Sequence, residues 1–236
     1  MLIEVIFLEV KEFYEMNEKQ LAGERASDYI KDGMVVGLGT GSTAYYMLKA
    51  LAQRVQEGLS IKGVATSQAT TDLANKWGIP LVSIDDVSHI DVTIDGADEV
   101  DDHLNGIKGG GGALLYEKVV AKASKEVIWI VDAKKKVKTL GAFPLPIEVL
   151  PFGASHSIAL FEQKGLQPQL RRSDEEIFIT DSGHYIVDIQ LPQDENVEAF
   201  AAWLDTLTGV IEHGLFLNMA HTLIVGEGDQ VRIYKK

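Results

Sequence analysis

Two aspartates, Asp95 and Asp98, follow the β-branched run Val92-Thr93-Ile94, with only Gly96-Ala97 between them and Glu99 and Asp101 just beyond. Lys108, the glycines Gly109-Gly110-Gly111-Gly112 and the pair Glu117-Lys118 come next. Acids placed where a parallel strand ends sit at the rim where α/β proteins bind ligands. A glycine run lets backbone approach a ligand and leaves N–H groups free to point at it, and Lys108 adds a cation beside the carboxylates. Glu117 falls in the helix that this loop opens. Such a set suits proton transfer on a small, anionic, oxygen-rich substrate. The plainer alternative is solvated acids capping turns beside a flexible loop; either piece alone would favour it, and their order and closeness favour a reaction centre. A catalytic metal is not expected, because His103 is the only histidine nearby and Lys108 would compete with the ion.

A second chemical stretch precedes the first. Met34-Val35-Val36-Gly37-Leu38 reads as a strand feeding Gly39-Thr40-Gly41-Ser42-Thr43-Ala44, after which Tyr45 to Val55 reads as a helix. Free N–H groups and the helix dipole make such a turn an anion site, with Thr40, Gly41, Ser42 and Thr43 around the anion. A dinucleotide fingerprint would need glycine where Ser42 stands, and the next strand, Ile61 to Thr66, lacks the acid that holds a ribose hydroxyl. A phosphate monoester fits better. Thr66-Ser67-Gln68-Ala69-Thr70-Thr71 could touch a sugar, and helix capping explains it equally well. The dense basic run Asp132-Ala133-Lys134-Lys135-Lys136-Val137-Lys138 sits at another strand end, where one lysine could turn inward to a phosphate or all could remain solvated.

These residues need elements to carry them. Met16-Asn17 looks like a fresh start to a helix running to about Ile30 and Gly33, so residues 1–15 form an atypical leader. Strands and helices then alternate, including a strand Leu81 to Ile84 and a strand Val127 to Val131, which predicts a parallel sheet with right-handed crossovers. At Phe143-Pro144-Leu145-Pro146 the pattern changes. Strand Ile147 to Leu150, helix Ser155 to Lys164, strand Gln169 to Arg172, a hairpin of Ile177–Thr180 with Tyr185–Ile189, helix Val197 to Leu207 and strand Val210 to His213 give a β-α-β-β-α-β-like order. Thr222 to Gly226 and Val231 to Tyr234 read as a closing hairpin that rejoins the first part. The expectation is an α/β chain: a Rossmann-like parallel-sheet domain of residues 16–142 plus 214–236, and a smaller α+β, ferredoxin-like domain of residues 143–213. His156, His184, His213 and His221 read as packing or surface residues, and Trp77, Trp129 and Trp203 as core.

Composition sets outer bounds. With 236 residues, 46% hydrophobic and 24% charged, the chain can bury a sizeable core. A net charge of −13 repels nucleic acid and anionic membranes, so an anionic substrate needs a local basic pocket. The chain has no cysteine, hence no disulfide framework and no thiol nucleophile. Residues 1–8 are apolar but interrupted by Glu4 and followed by acids, a poor signal peptide, and no apolar run reaches a membrane span; a cytoplasmic location is expected.

With these motifs in hand the chain resembles the type A ribose-5-phosphate isomerase family over about residues 17–236. The resemblance rests on the turn Gly37 to Thr43, Asp95-Gly96-Ala97-Asp98-Glu99, Lys108-Gly109-Gly110-Gly111, Glu117-Lys118 and Phe143-Pro144-Leu145-Pro146-Ile147-Glu148-Val149. It implies interconversion of ribose 5-phosphate and ribulose 5-phosphate through an enediolate, in the non-oxidative pentose phosphate pathway, without metal or organic cofactor. It implies that Glu117 is the general base, that Asp95 assists ring opening and proton traffic, and that Asp98 and Lys108 position the sugar and offset developing charge. It further implies phosphate and sugar contacts from Lys19, Thr40, Ser42, Thr43 and Lys135, and a homo-oligomer, dimer or tetramer. Gly112, where relatives often carry alanine, and Ser67-Gln68 are departures. Two rivals remain at this stage: a coenzyme A transferase of related fold, which would need a long cofactor groove, and a sugar-phosphate sensor, which would have no use for Glu117.

Overall fold

The structure is a computed structural model and describes residues 17–236; the expectations for residues 1–15 and for a start at Met16 lie outside the described residues. In chain order the elements are α1 (17–27), β1 (Val35–Leu38), α2 (Ser42–Gln56), β2 (Lys62–Ala65), α3 (Gln68–Trp77), β3 (Ile90–Gly96), β4 (Glu99–Val100), β5 (Gly106–Ile107), α4 (Leu114–Lys122) and β6 (Ser124–Asp132). There follow β7 (Leu145–Val149), α5 (Ala154–Gln163), β8 (Gln169–Leu170), β9 (Arg172–Ser173), β10 (Glu176–Ile177), β11 (Tyr185–Ile189), α6 (Val197–Asp205), β12 (Val210–His213), β13 (Leu215–Phe216), β14 (Thr222–Glu227) and β15 (Gln230–Lys235).

The main sheet runs β15-β14-β6-β3-β1-β2, parallel throughout except for the edge strand β15. Its central strands are apolar on both faces, as strands covered by helices on each side must be. In β6 the alternation is explicit: Ile128 and Ile130 pack with Ala22 and Ala26 of α1 and Met47, Leu48 and Leu51 of α2, whereas Val127, Trp129 and Val131 pack with Leu114 and Ala121 of α4. Trp129 is fully buried there; burial of each large apolar side chain contributes about 1.5–3 kcal/mol. A second, antiparallel sheet runs β12-β7-β11-β8. With α5 between β7 and β8 and α6 between β11 and β12, this is the ferredoxin-like arrangement, packed around Phe161, Phe200 and Leu204.

The closing hairpin β14–β15 rejoins the main sheet beside β6, as the sequence reading expects. Three details differ from that reading. The strand expected over Leu81–Ile84 is a single bridge from Leu81 to Gly63, because Ser83 instead caps a 3-10 turn at Ile84–Asp86. The hairpin expected between Ile177–Thr180 and Tyr185–Ile189 shrinks to a bridge between Ile179 and Tyr185; β10 pairs with β9, and β11 pairs with β7 and β8. A small sheet β13-β5-β4, formed by strands of two residues each, brackets the loop after Asp98 and has no length from which periodicity could show it.

Candidate active site

The C-terminal ends of β1, β3 and β6 open onto one cleft, the place where parallel sheets bind ligands. Its wall is made by Lys19 from α1, Thr40, Gly41, Ser42 and Thr43 from the turn after β1, Gly96, Ala97 and Asp98 after β3, Lys108, Gly109, Gly110 and Gly111, Glu117 from α4, and Asp132 and Lys135 after β6. Residues far apart in sequence thus meet in one place. Gly96, Ala97 and Asp132 are wall residues to which the sequence reading gave no site role; the position of Asp132 at the end of a central strand was the available signal.

At one side, α2 begins at Gly41, whose φ of 105° favours glycine, and no side chain caps its first turn. Those N–H groups are left for a ligand, and the dipole of this 15-residue helix favours an anion there. The turn is fixed from behind. Thr40 Oγ1 lies 2.8 Å from the hydroxyls of Thr66 and Ser67 and 3.1 Å from that of Thr70, so the Thr66–Thr70 hydroxyls support the turn instead of lining the cleft. Lys19 and Lys135 are the cations on this side, and Lys135 Nζ is 3.8 Å from Asp98 Oδ1. Of the basic run, Lys135 is thus the lysine that reaches the cleft wall.

At the other side lies a buried ionic cluster. Lys108 Nζ is 3.0 Å from Asp95 Oδ2 and 3.3 Å from Glu117 Oε2, and it donates to the Gly96 carbonyl. Asp95 turns its other oxygen to the N–H groups of Thr40 at 3.0 Å and Gly96 at 2.8 Å. Asp95 is buried, 2% exposed, and sits behind Lys108 instead of on the cleft wall. Gly39 is needed here: a Cβ on it would fall 2.2 Å from Asp95 Oδ1. Asp98 faces the cleft and accepts from the Gly110 N–H at 2.7 Å. Its neighbours in the acidic run serve the backbone. Glu99 accepts from Gly141 and Phe143 N–H at 2.6 and 2.7 Å, holding the chain where it crosses to the second sheet, and Asp101 caps its own turn.

Glu117 is the exception among these buried groups. Its Oε2 has an ion-pair contact with Lys108 but no aligned hydrogen bond, which leaves a lone pair free at the buried base of the cleft. Burial, reinforced by Asp95 and opposed by Lys108, pushes its pKa up to about 8. Burial pulls Lys108 the other way, yet the carboxylates of Asp95 and Glu117 outweigh it and hold the ammonium above its ordinary value. The result is a fixed cation next to a carboxyl poised to gain or lose a proton near neutral pH.

Among the described residues, one group could hold a metal ion by geometry, Asp205, Glu212 and His213. None of them lines the cleft, and Lys118 Nζ already stands 2.6 Å from Glu212 Oε1.

Comparison with known proteins points to one family. The family model for ribose 5-phosphate isomerase A (phosphoriboisomerase A) matches residues 62–230. The chain is 55% identical to ribose-5-phosphate isomerase A of Enterococcus faecalis over 91% of its own length and 96% of the relative's, and 50% identical to that of Streptococcus uberis over the same shares. Among solved structures, a D-ribose-5-phosphate isomerase in complex with phospho-erythronic acid superposes with a TM-score of 0.89 at 38% identity, covering 92% of this chain and 97% of that one. Ribose 5-phosphate isomerase from Plasmodium falciparum gives 0.89 at 37% identity, with the same coverage.

Proposed function

The chain belongs to the ribose 5-phosphate isomerase A family, and from that premise we propose how its own residues interconvert ribose 5-phosphate and ribulose 5-phosphate. The phosphate docks on the uncapped start of α2 at Gly41, Ser42 and Thr43, between Lys19 and Lys135. This seats the other end of an open-chain pentose phosphate beside Glu117 and Lys108.

Glu117 in its carboxylate form takes the proton from C2 and returns it to C1, passing through an enediolate. Lys108 stays protonated throughout and offsets the charge that develops on the sugar oxygen, in a site with little water to compete. Asp98, steadied by Gly110, holds sugar hydroxyls. Asp95 acts through its neighbours: it fixes the Lys108 ammonium and the Thr40 peptide, and beside that fixed ammonium the hydroxyl proton passes from O2 to O1 of the enediolate. The single observation carrying the assignment is the free Oε2 of Glu117, buried, raised in pKa and next to a permanent cation.

The test is turnover of ribose 5-phosphate in excess chelator by the parent and Glu117→Gln, with phospho-erythronic acid as binding probe for both. An active parent and an inactive variant that still binds the acid support the reading. A variant that keeps turnover removes Glu117 as the base, and an inactive parent that binds the sugar phosphate makes this cleft a sensor. A cytoplasmic location and assembly into a homo-oligomer, dimer or tetramer, complete the proposal; light scattering of the purified chain checks the assembly. Among the described residues, no helix is long and apolar enough to cross a membrane.

A further inference from the structure

The glycine cradle has no side chains with which to hold its shape, yet its peptides must present N–H groups in fixed directions. Arg171, which continues from β8, reaches across to it. Its Nη1 donates to the carbonyls of Gly109 at 2.8 Å and Gly110 at 3.1 Å. The same guanidinium is gripped from behind by Asp188 of β11: Nε donates to Oδ2 at 2.8 Å and Nη2 to Oδ1 at 2.5 Å. Arg171 is itself fixed in the backbone, its N–H donating to Ile186 and its carbonyl accepting from Phe178. The Phe178 ring lies beneath the guanidinium, 5.8 Å from centroid to Cζ, and fills the space where a Cβ on Gly112 would fall 2.4 Å away.

The geometry of a trans peptide turns these contacts into a direction. In each peptide unit the C=O and the following N–H point opposite ways. With the Gly109 carbonyl drawn to Arg171, the Gly110 N–H must face the other way, and it does, donating to Asp98 Oδ2 at 2.7 Å. With the Gly110 carbonyl drawn to the same nitrogen, the Gly111 N–H faces away from Arg171, and Gly111 itself forms part of the cleft wall. We infer that the Arg171–Asp188 pair is a positioning device for the isomerisation: by fixing two carbonyls from the antiparallel sheet, it aims the Gly110 N–H at Asp98 and the Gly111 N–H at an oxygen of the bound sugar. Glycine at positive φ, 104° at Gly109 and 79° at Gly112, gives the loop freedom to take other shapes; the turn bond from the Gly112 N–H to the Gly109 carbonyl, 3.0 Å, closes it, and the clamp fixes how its peptides point. Lysine cannot replace the arginine fork, since it has no planar pair of donors for Asp188 while reaching the carbonyls.

The inference rests on the isomerase reading, and the parent's own turnover tests that reading separately. The experiment measures kcat and KM for ribose 5-phosphate, the inhibition constant of inorganic phosphate, and the thermal midpoint, for the parent, Arg171→Gln, Arg171→Lys and Asp188→Asn. A misaimed donor costs about tenfold to a hundredfold. Arg171→Gln should therefore lose about that much in kcat/KM, carried mainly by kcat, with phosphate inhibition within about twofold of the parent because the α2 turn is untouched. Asp188→Asn should move the same way by less, and Arg171→Lys should not restore the parent rate. Unchanged kcat in a folded Arg171→Gln overturns the inference, as does an equal loss of phosphate binding, which marks general disruption. Should Arg171→Gln not fold, Asp188→Asn decides: parent-like kcat in that variant sinks the proposal.

Discussion

Glu117 and Lys118 are neighbours on α4, yet each enters a different buried ionic cluster, and the two clusters are built to opposite ends. In the cleft, one lysine, Lys108, faces Asp95 and Glu117, and the Glu117 Oε2 is left without a hydrogen bond. Under α4, Lys118 Nζ donates to Glu212 Oε1 at 2.6 Å and to the His213 carbonyl, lies 4.7 Å from the Phe216 ring centre, and His213 Nε2 meets Asp205 at 3.2 Å. Burial lowers the Lys118 pKa there, and although burial would raise Glu212, the ammonium outweighs it and holds that carboxyl below its ordinary range. Burial and Lys118 together lower His213 to about 4, so the imidazole is neutral at physiological pH. One cluster keeps its charges satisfied and silent; the other keeps a carboxyl unsatisfied and ready. The difference separates a buried ion pair that joins two parts of a fold from one that does chemistry.

Glu117→Gln is the sharpest way to break the comparison. It should reduce kcat by about 100-fold or more, as removal of a general base does, and steady-state assay of the purified variant measures it. Lys118→Met should do the reverse. Loss of one partner leaves the partly buried Glu212 without its cation, which costs about 1–3 kcal/mol of stability, read from denaturant unfolding, with KM for ribose 5-phosphate within about twofold of the parent. If Lys118→Met instead abolished turnover while leaving stability intact, the two clusters would have to be treated as one. Gly39→Ala should fall between them, with about tenfold loss of kcat, since its methyl group displaces Asp95 and through it Lys108.

Titration gives the smallest and most specific signal. Because Glu117 must be ionised to take a proton, kcat/KM should fall about tenfold per pH unit on the acid side of a limb near pH 8. Stability should move in the opposite sense. The folded pKa lies above the unfolded one, so between pH 4.5 and about 8 the unfolded chain releases a proton that the folded chain retains, and stability declines as pH rises through that window. Glu117→Gln should flatten that decline, a change that thermal melts across the range would reveal.

Much of this was legible in the sequence because the parts are local. The turn Gly39–Thr43 lies where β1 gives way to α2 and the run Asp95–Asp98 where β3 ends ahead of β4, and the alternation of strands and helices gave the parallel sheet. What was not legible depends on distant partners. Nothing local distinguishes Asp98, which faces the cleft, from Glu99, which holds the Phe143 crossing, or tells that Asp95 lies behind Lys108. Arg171 carries no motif, and its role exists only because β8 lies beside the glycine loop. The hydroxyls of Thr66, Ser67 and Thr70 fitted a sugar or a scaffold equally well in sequence; their convergence on Thr40 Oγ1 makes them scaffold.

Lys19 stands on α1, and α1 is fastened by the far end of the chain. Glu18 accepts from the N–H groups of Ala133 and Gly228, Asn17 donates to the Gly228 carbonyl, and Gly226 has no Cβ because the Glu18 backbone passes there. The two contacts to Gly228 join positions 210 and 211 apart in sequence. During synthesis the helix is made 210 residues before the loop position that holds it. The phosphate corner is accordingly completed only after that loop has been made, so a growing polypeptide carries its proton-transfer residues for some time before it can hold a substrate against them.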